Sequence, residues 1–250
     1  MTTSQIILEE VNLLYASMAY KERSFKSLLS RRLRPSINKP RLTDIHALKN
    51  ISLTIQQGER VGLIGHNGAG KSLFLKTIAG LYPISSGKLT THGQIRSLFD
   101  LSLGFEPDAT GRENILYRGL LLGLTPRFIR TKEEEIIGFA ELGEFIDYPI
   151  KTYSAGMQMR LAFAISTVVG GDILLLDEVI GAGDANFMIK AKQRIEGLIN
   201  QAQIIVLASH DFSSLQSLCK RGIVLHHGNV VFDGLIDKAI YHYKHINGLD

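Results

Sequence analysis

Gly65-His66-Asn67-Gly68-Ala69-Gly70-Lys71-Ser72 constrains this chain more than any other stretch of it. Glycines at these spacings let successive backbone N–H groups turn towards one point, an arrangement that suits phosphate oxygens when a strand leads into the loop and a helix leads out of it. Both flanks are present. Residues 60–64 read as a short buried strand, and the residues after Ser72 read as a helix running to about 81–83. The helix N-terminus adds positive partial charge, Lys71 reaches the terminal phosphates of a nucleotide, and the Ser72 hydroxyl is a ligand for Mg²⁺. All eight residues from Gly65 to Ser72 are therefore candidate nucleotide-binding positions.

What surrounds the loop is an α/β chain. Residues 51–55 alternate apolar and polar side chains, and Gln56-Gln57-Gly58 reads as the turn into the next strand. Residues 173–176 and 204–208 are runs of Ile, Val and Leu without alternation, as expected for central parallel strands covered on both faces. Ahead of them, Thr110-Gly111-Arg112-Glu113 has capping-box spacing and Thr125-Pro126 reads as an N-cap followed by proline at the first helical position. Towards the end, residues 223–225 and 230–232 read as strands about a Gly228-Asn229 turn, and 235–245 as a closing helix. The expectation is one domain over residues 1–250, with a core from about 1–100 and 166–250 and a helical subdomain over about 101–165. The core sheet is expected to be mixed and largely parallel, with an antiparallel β lobe beside it.

Composition narrows the classes. With 250 residues and 45% hydrophobic content the chain can bury one substantial core. Cys219 is the single cysteine, which excludes an intrachain disulfide and a cysteine-based zinc framework and suits a reducing compartment. Glu9 and Glu10 stand where a signal peptide needs an apolar core, so a soluble cytoplasmic protein is expected. The net charge of +4 fits a nucleotide binder and a neighbour of anionic lipid equally well.

Asp177 and Glu178 follow the strand at 173–176, placing two carboxylates at the end of a central strand, where α/β folds gather ligands. Asp177 is assigned to the metal, through water, and Glu178 to general-base work on an attacking water. His210 follows the strand at 204–208, from which an imidazole can contact a γ-phosphate.

Tyr153-Ser154-Ala155-Gly156-Met157-Gln158 opens an apolar helix ahead of the acidic strand, and with the preceding motifs it resembles the signature of ATP-binding cassette ATPases. The resemblance implies that Ser154 and Gly156 face the γ-phosphate bound by a second copy of the chain, that Met157 also belongs to the ATP-binding set, and that Gly183-Asp184 lies in a loop communicating across the dimer. Details in Thr110-Gly111-Arg112-Glu113-Asn114, in the signature, in Asp177-Glu178-Val179 and in the basic insertion before His46-Ala47-Leu48 are most similar to ATPase subunits of bacterial polysaccharide exporters for O-antigen, capsule or teichoic acid. That implies ATP and Mg²⁺ as cofactors, and a peripheral position on the cytoplasmic face of the inner membrane. The implied partners are an integral membrane permease in two copies, a lipid-linked polysaccharide reached through it, and no nucleic acid. Leu73 stands where most cassettes carry a hydroxyl residue, so one contact to the α-phosphate is expected to be missing. Asp100 is the candidate replacement for a metal-sensing glutamine, and Tyr15 the candidate adenine-stacking ring, with Tyr20 as the alternative.

Two other classes compete: a soluble cassette ATPase acting on DNA or ribosomes, and a non-hydrolysing regulatory binder. The first lacks a coiled-coil insertion here, and the second sits badly with Lys71, Glu178 and His210. Forty residues follow His210, all of them needed for the closing elements, so no separate glycan-binding β-sandwich is expected.

Residues 20–41 stand apart, with Lys21, Arg23, Lys26, Arg31, Arg32, Arg34, Lys39 and Arg41 against only Glu22. Each such cation near an anionic surface contributes on the order of 1 kcal/mol, which suggests a place beside lipid or the phosphates of a lipid-linked substrate. Replacing Arg31, Arg32 and Arg34 by Gln is expected to reduce export more than basal ATP hydrolysis; unchanged export would sink that assignment.

Overall fold

The computed structural model describes residues 3–17, 43–99, 104–177 and 185–249. Residues 20–41, Asp100, Glu178, Gly183 and Asp184 lie outside the described residues, as does the side chain of Tyr15. The chain enters as β1 (Gln5–Ser17), returns as β2 (Thr43–Gln56), and turns at Gln57 and Gly58 into β3 (Arg60–Ile64). After α1 (Lys71–Ile78) come β4 (Ser86–His92) and β5 (Ile95–Ser97). A helical stretch follows: α2 (Gly111–Leu121), α3 (Pro126–Ala140), two 3₁₀ turns (Gly143–Asp147 and Ile150–Thr152) and α4 (Ala155–Thr167). The remainder is β6 (Ile173–Asp177), α5 (Ala185–Gln201), β7 (Ile204–Ala208), α6 (Phe212–Leu218), β8 (Arg221–His226), β9 (Asn229–Leu235) and α7 (Ile236–Ile246).

Two sheets result. β1 lies between β2 and β4 in an antiparallel sheet, while the larger sheet runs β5-β6-β7-β3-β8-β9. It is parallel from β5 to β8, and β9 folds back antiparallel on β8. The unalternating runs are explained by what each face meets. Ile173 and Leu175 of β6, with Ile204 and Val206 of β7, pack with α1 and the buried face of the antiparallel sheet. Leu174, Leu176, Ile205 and Leu207 point the other way, into a layer with Phe163, Phe187, Leu215 and Ala239 from the helices. A strand covered on both faces has no polar face to display, so its sequence shows no period of two. Arg221 ties the sheets together: its guanidinium donates to Asp233, Glu59 and the Thr54 carbonyl of β2.

In the helical stretch both sequence caps form. Thr110 Oγ1 accepts from Glu113 N at 3.1 Å while Glu113 Oε2 accepts from Thr110 N at 2.8 Å, and Thr125 Oγ1 accepts from Phe128 N at 3.2 Å ahead of Pro126. Two boundaries differ from expectation. Helix α1 stops at Ile78 rather than near 81–83, because Gly80 takes φ +75° and Leu81 N donates to Lys76 O while Gly80 N donates to Thr77 O. That pair of bonds is the Schellman closure, and glycine is the residue that fits it. The β8–β9 turn is His227-Gly228 rather than Gly228-Asn229: His226 pairs with Asn229, and both intervening residues have positive φ, 47° and 81°.

Cys219 is buried, and loss of water around it pushes its thiol up to about 12, which leaves it as a small apolar packing group. Among the described residues no helix is long and apolar enough to cross a membrane.

Asn114 is fully buried, and its side chain stitches the approach to α2 onto the helix. Oδ1 accepts from Glu106 N at 2.7 Å, and Nδ2 donates to the carbonyls of Glu106, Ala109 and Thr110 at 2.8–3.2 Å. Asn114→Ala removes the acceptor of Glu106 N and the donor to three carbonyls and leaves a gap in a buried position, so thermal or denaturant unfolding is expected to show a loss of about 1–3 kcal/mol.

Candidate nucleotide site

β3 delivers the chain to Gly65 at the middle of the parallel sheet, and the loop can begin there only without a side chain. A Cβ on Gly65 would sit 2.6 Å from Leu225 O and 2.9 Å from the Ala69 Cβ. Gly68 and Gly70 then take φ of +82° and +109°, the left-handed turns that swing the backbone around. Gly70 is the residue on which α1 starts, so the helix N-terminus points into the loop. The turn of the β8–β9 hairpin lies against the same loop, with Gly228 N donating to Ala69 O at 3.0 Å and Lys49 N donating to Gly228 O at 2.8 Å.

Lys71 is only 8% exposed, and its Nζ donates to Gly65 O at 2.6 Å and His66 O at 3.3 Å. It also stands 3.2 Å from Nε2 of His210. An ammonium donates only, so Nε2 of His210 is the acceptor there. The position of His210 follows from the cap behind it. Asp211 opens α6 by accepting from the N–H and hydroxyl groups of Ser213 and Ser214, and those bonds hold its carboxyl down to about 2. β6 pairs with β7 so that Asp177 lies opposite Ala208, which brings Asp177 and His210 to one edge.

A cleft of about 560 Å³ is lined by His66, Asn67, Gly68, Gly70, Lys71, Ser72 and Leu73 from the loop and by Asp177 and His210 from the neighbouring strand ends. Gly65 and Ala69 lie beneath it, buried. Ser154, Gly156 and Met157 do not line the cleft. Ser154 caps α4, accepting from Met157 N at 3.2 Å, and Gly156 faces open space, its nearest neighbour being Ser154 Oγ at 3.9 Å. Only the backbone of Tyr15 is described, paired with Ile45. The cleft has a wall that local motifs did not announce: Ile45, His46, Ala47 and Lys49 of β2, with His227 and Gly228 of the hairpin turn. These reach the site by long-range pairing, and their one sequence signal is the glycine of a tight turn.

His66 Nδ1 lies 2.8 Å from Asn67 O, so Nδ1 carries a proton, which in the neutral ring leaves the lone pair on Nε2. Nε2 of His66 and Nδ1 of His226 are buried without a hydrogen-bond partner among the described residues. His226 titrates below the usual imidazole range, because its ring is shielded from water and His227 and His66 would place like charges beside it.

A family model described as ABC transporter matches residues 48–181, more than half of the chain. The chain belongs to the ABC transporter family. It is 47% identical over 196 residues to the O-antigen export system ATP-binding protein RfbB of Myxococcus xanthus, covering 78% of this chain and 45% of that protein. It is also 47% identical over 184 residues to the O-antigen export system ATP-binding protein RfbE of Yersinia enterocolitica, covering 74% and 77%. The teichoic acids export ATP-binding protein TagH of Lactococcus lactis is 39% identical over 201 residues, covering 80% and 43%. The chain thus spans under half the length of two of these ABC relatives and about three quarters of the third. Among solved structures, the dimeric post-hydrolysis form of the ATP-binding cassette MJ0796 bound to ADP and Pi shares the fold, with a TM-score of 0.65, 22% identity and coverage of 92% and 98%.

Gly65→Ala forces a methyl onto the Leu225 carbonyl, and overpacking of this kind costs about 1–3 kcal/mol or displaces the loop. Fluorescent-nucleotide titration is expected to show weakened binding with the far-UV circular dichroism unchanged.

Proposed function

We propose that this chain is the ATP-hydrolysing subunit of a bacterial exporter of lipid-linked polysaccharide. In this reading it sits peripherally at the cytoplasmic face of the inner membrane, paired with a second copy of itself and with two copies of an integral membrane permease. The observation that carries the reading is 40–47% identity, over 74–79% of the chain, to proteins named as O-antigen export system ATP-binding proteins. The dimeric state of a cassette of the same fold supports the pairing.

The donor set in the cleft fits a nucleoside triphosphate with its magnesium. A Gly-rich turn that tolerates no Cβ at Gly65, a helix N-terminus, a lysine ammonium, a hydroxyl at Ser72 and a carboxylate at Asp177 converge there. Backbone N–H groups from Gly65 to Ser72, with Leu73 behind them, hold the phosphates, and Lys71 exchanges its carbonyl partners for β- and γ-phosphate oxygens. Ser72 and Asp177 hold Mg²⁺, with Asp100 as a further ligand; bound there, the ion neutralises charge on the phosphate oxygens. Glu178, next after Asp177, takes a proton from the water that attacks the γ-phosphorus, and the bond to the bridging oxygen of ADP breaks. His210 contacts the γ-phosphate and registers its departure. Tyr15, whose backbone runs beside the cleft-lining Ile45, stacks on adenine, with Tyr20 as the alternative.

Ser154, Gly156 and Met157 lie away from the cleft of their own chain because they serve the nucleotide held by the other copy. A capped helix start carrying an exposed glycine is suited to a γ-phosphate approaching from outside.

Glu178→Gln is expected to keep ATP affinity while turnover falls by roughly 10²–10⁴-fold. With ATP and Mg²⁺ the same variant is expected to elute as a dimer on sizing and, from detergent-solubilised membranes, to bring down an integral membrane protein. Near-normal hydrolysis removes Glu178 from its role. Recovery of ribosomes or DNA in place of a membrane protein would overturn the exporter reading.

A further inference from the structure

Beside the phosphate loop, but composed of different side chains from the magnesium donors, three histidines meet. Rings of His66, His226 and His227 stand in mutual contact, their centroids 4.4–5.2 Å apart. One ring nitrogen from each lies within 4.8 Å of the other two. His66 is the first residue of the loop after Gly65, whereas His226 and His227 close β8 and begin the hairpin turn, so the group joins two elements 160 residues apart in sequence.

We propose that His66, His226 and His227 form a three-histidine site for a transition-metal ion of the zinc class. Three observations support it. Nε2 of His66 and Nδ1 of His226 are buried and have no hydrogen-bond partner among the described residues, a costly state for imidazole nitrogens that a metal ion relieves. The tautomer of His66 is already set for ligation, since Nδ1–H is committed to the Asn67 carbonyl and the lone pair is on Nε2. A backbone carbonyl accepting the other ring N–H is the usual second partner of a metal-bound histidine. His227 is exposed, at a turn position with φ of 47°, and gives an ion a path from solvent.

Geometry and chemistry agree on the class of ion. Metal–nitrogen bonds of about 2.0–2.1 Å place the ligands of a tetrahedral site about 3.4 Å apart, so the rings close by little more than an ångström from where they stand. Three neutral imidazoles with one open position suit Zn²⁺, Co²⁺ or Ni²⁺ and reject Mg²⁺, which demands oxygen ligands. The site therefore does not compete for the magnesium held by Ser72 and Asp177. It fastens the hairpin turn to the loop at a second point, next to the Gly228 N to Ala69 O bond.

The test uses the full chain, tag-free and stripped of metal, without nucleotide. Titration with Co²⁺ is expected to give the intense visible bands of a tetrahedral ion at one equivalent, displaced by Zn²⁺, and Zn²⁺ is expected to raise the melting temperature. His226→Asn and His227→Asn should each weaken Zn²⁺ binding by more than the roughly 10–100-fold that loss of a second-shell partner costs. Asparagine tolerates the positive φ at 227, so that variant keeps the turn and decides the matter if His226→Asn misfolds. His92→Gln, an exposed histidine elsewhere in the fold, should change nothing. An octahedral cobalt spectrum, no saturable binding, or an affinity untouched by His227→Asn would overturn the proposal.

Discussion

The ammonium of Lys71 is the group around which the centre of this fold is arranged. A charge that is 8% exposed has to be surrounded by acceptors, and here the acceptors come from separate parts of the chain: the Gly65 and His66 carbonyls at the end of β3 and the His210 ring beyond β7. Those acceptors are in place because β3 lies between β7 and β8 in a parallel sheet, so the strand ends arrive together on one edge. The antiparallel sheet, carrying Ile45, His46, Ala47 and Lys49, closes the cleft from the other side and is tied down by Arg221. The same geometry that stabilises the lysine thus shapes a cleft of phosphate-binding size.

Much of this was legible from local chemistry. The loop was readable because its glycines are demanded by backbone sterics that no other residue meets, and the caps at Thr110 and Thr125 because a hydroxyl accepting a backbone N–H is a strictly local bond. The central strands were readable as buried on both faces from their lack of alternation. What stayed hidden depends on contacts distant in sequence. Nothing near His46 or Lys49 announces a cleft wall, since β2 comes to the loop by pairing with β1. The turn after β8 was expected at Gly228-Asn229, a reasonable choice by residue preference, but register across the hairpin moved it one place and put a histidine at positive φ. Helix α1 ended early for a related reason, because Gly80 adopts the closing conformation as soon as the helix clears the core.

Asn114 and His66 show how one motif residue can carry more than its motif announces. Asn114 belongs to a stretch that resembles exporter subunits, yet its visible work is to satisfy four backbone groups at the base of α2. His66 occupies a variable position of the loop pattern, and its ring is turned towards the hairpin turn, where two more imidazoles meet it. In each case the side chain's partners, rather than the pattern that includes it, identify what it does.

The strand order also determines when the site can exist during synthesis. Both partners of β3, namely β7 and β8, lie about 140 residues or more downstream, which at ordinary elongation rates corresponds to on the order of ten seconds after β3 is made. Through that interval Val61, Leu63 and Ile64, fully buried in the finished molecule, have no sheet to enter, while β1, β2 and β4 can already pair among themselves. The nascent chain therefore leaves the ribosome with a strand that is buried in the finished fold still unpaired. Only when β7, β8 and the hairpin turn emerge can the phosphate loop be clamped in shape, so the cleft is completed late, and a translation product cut short before Gly228 would lack it.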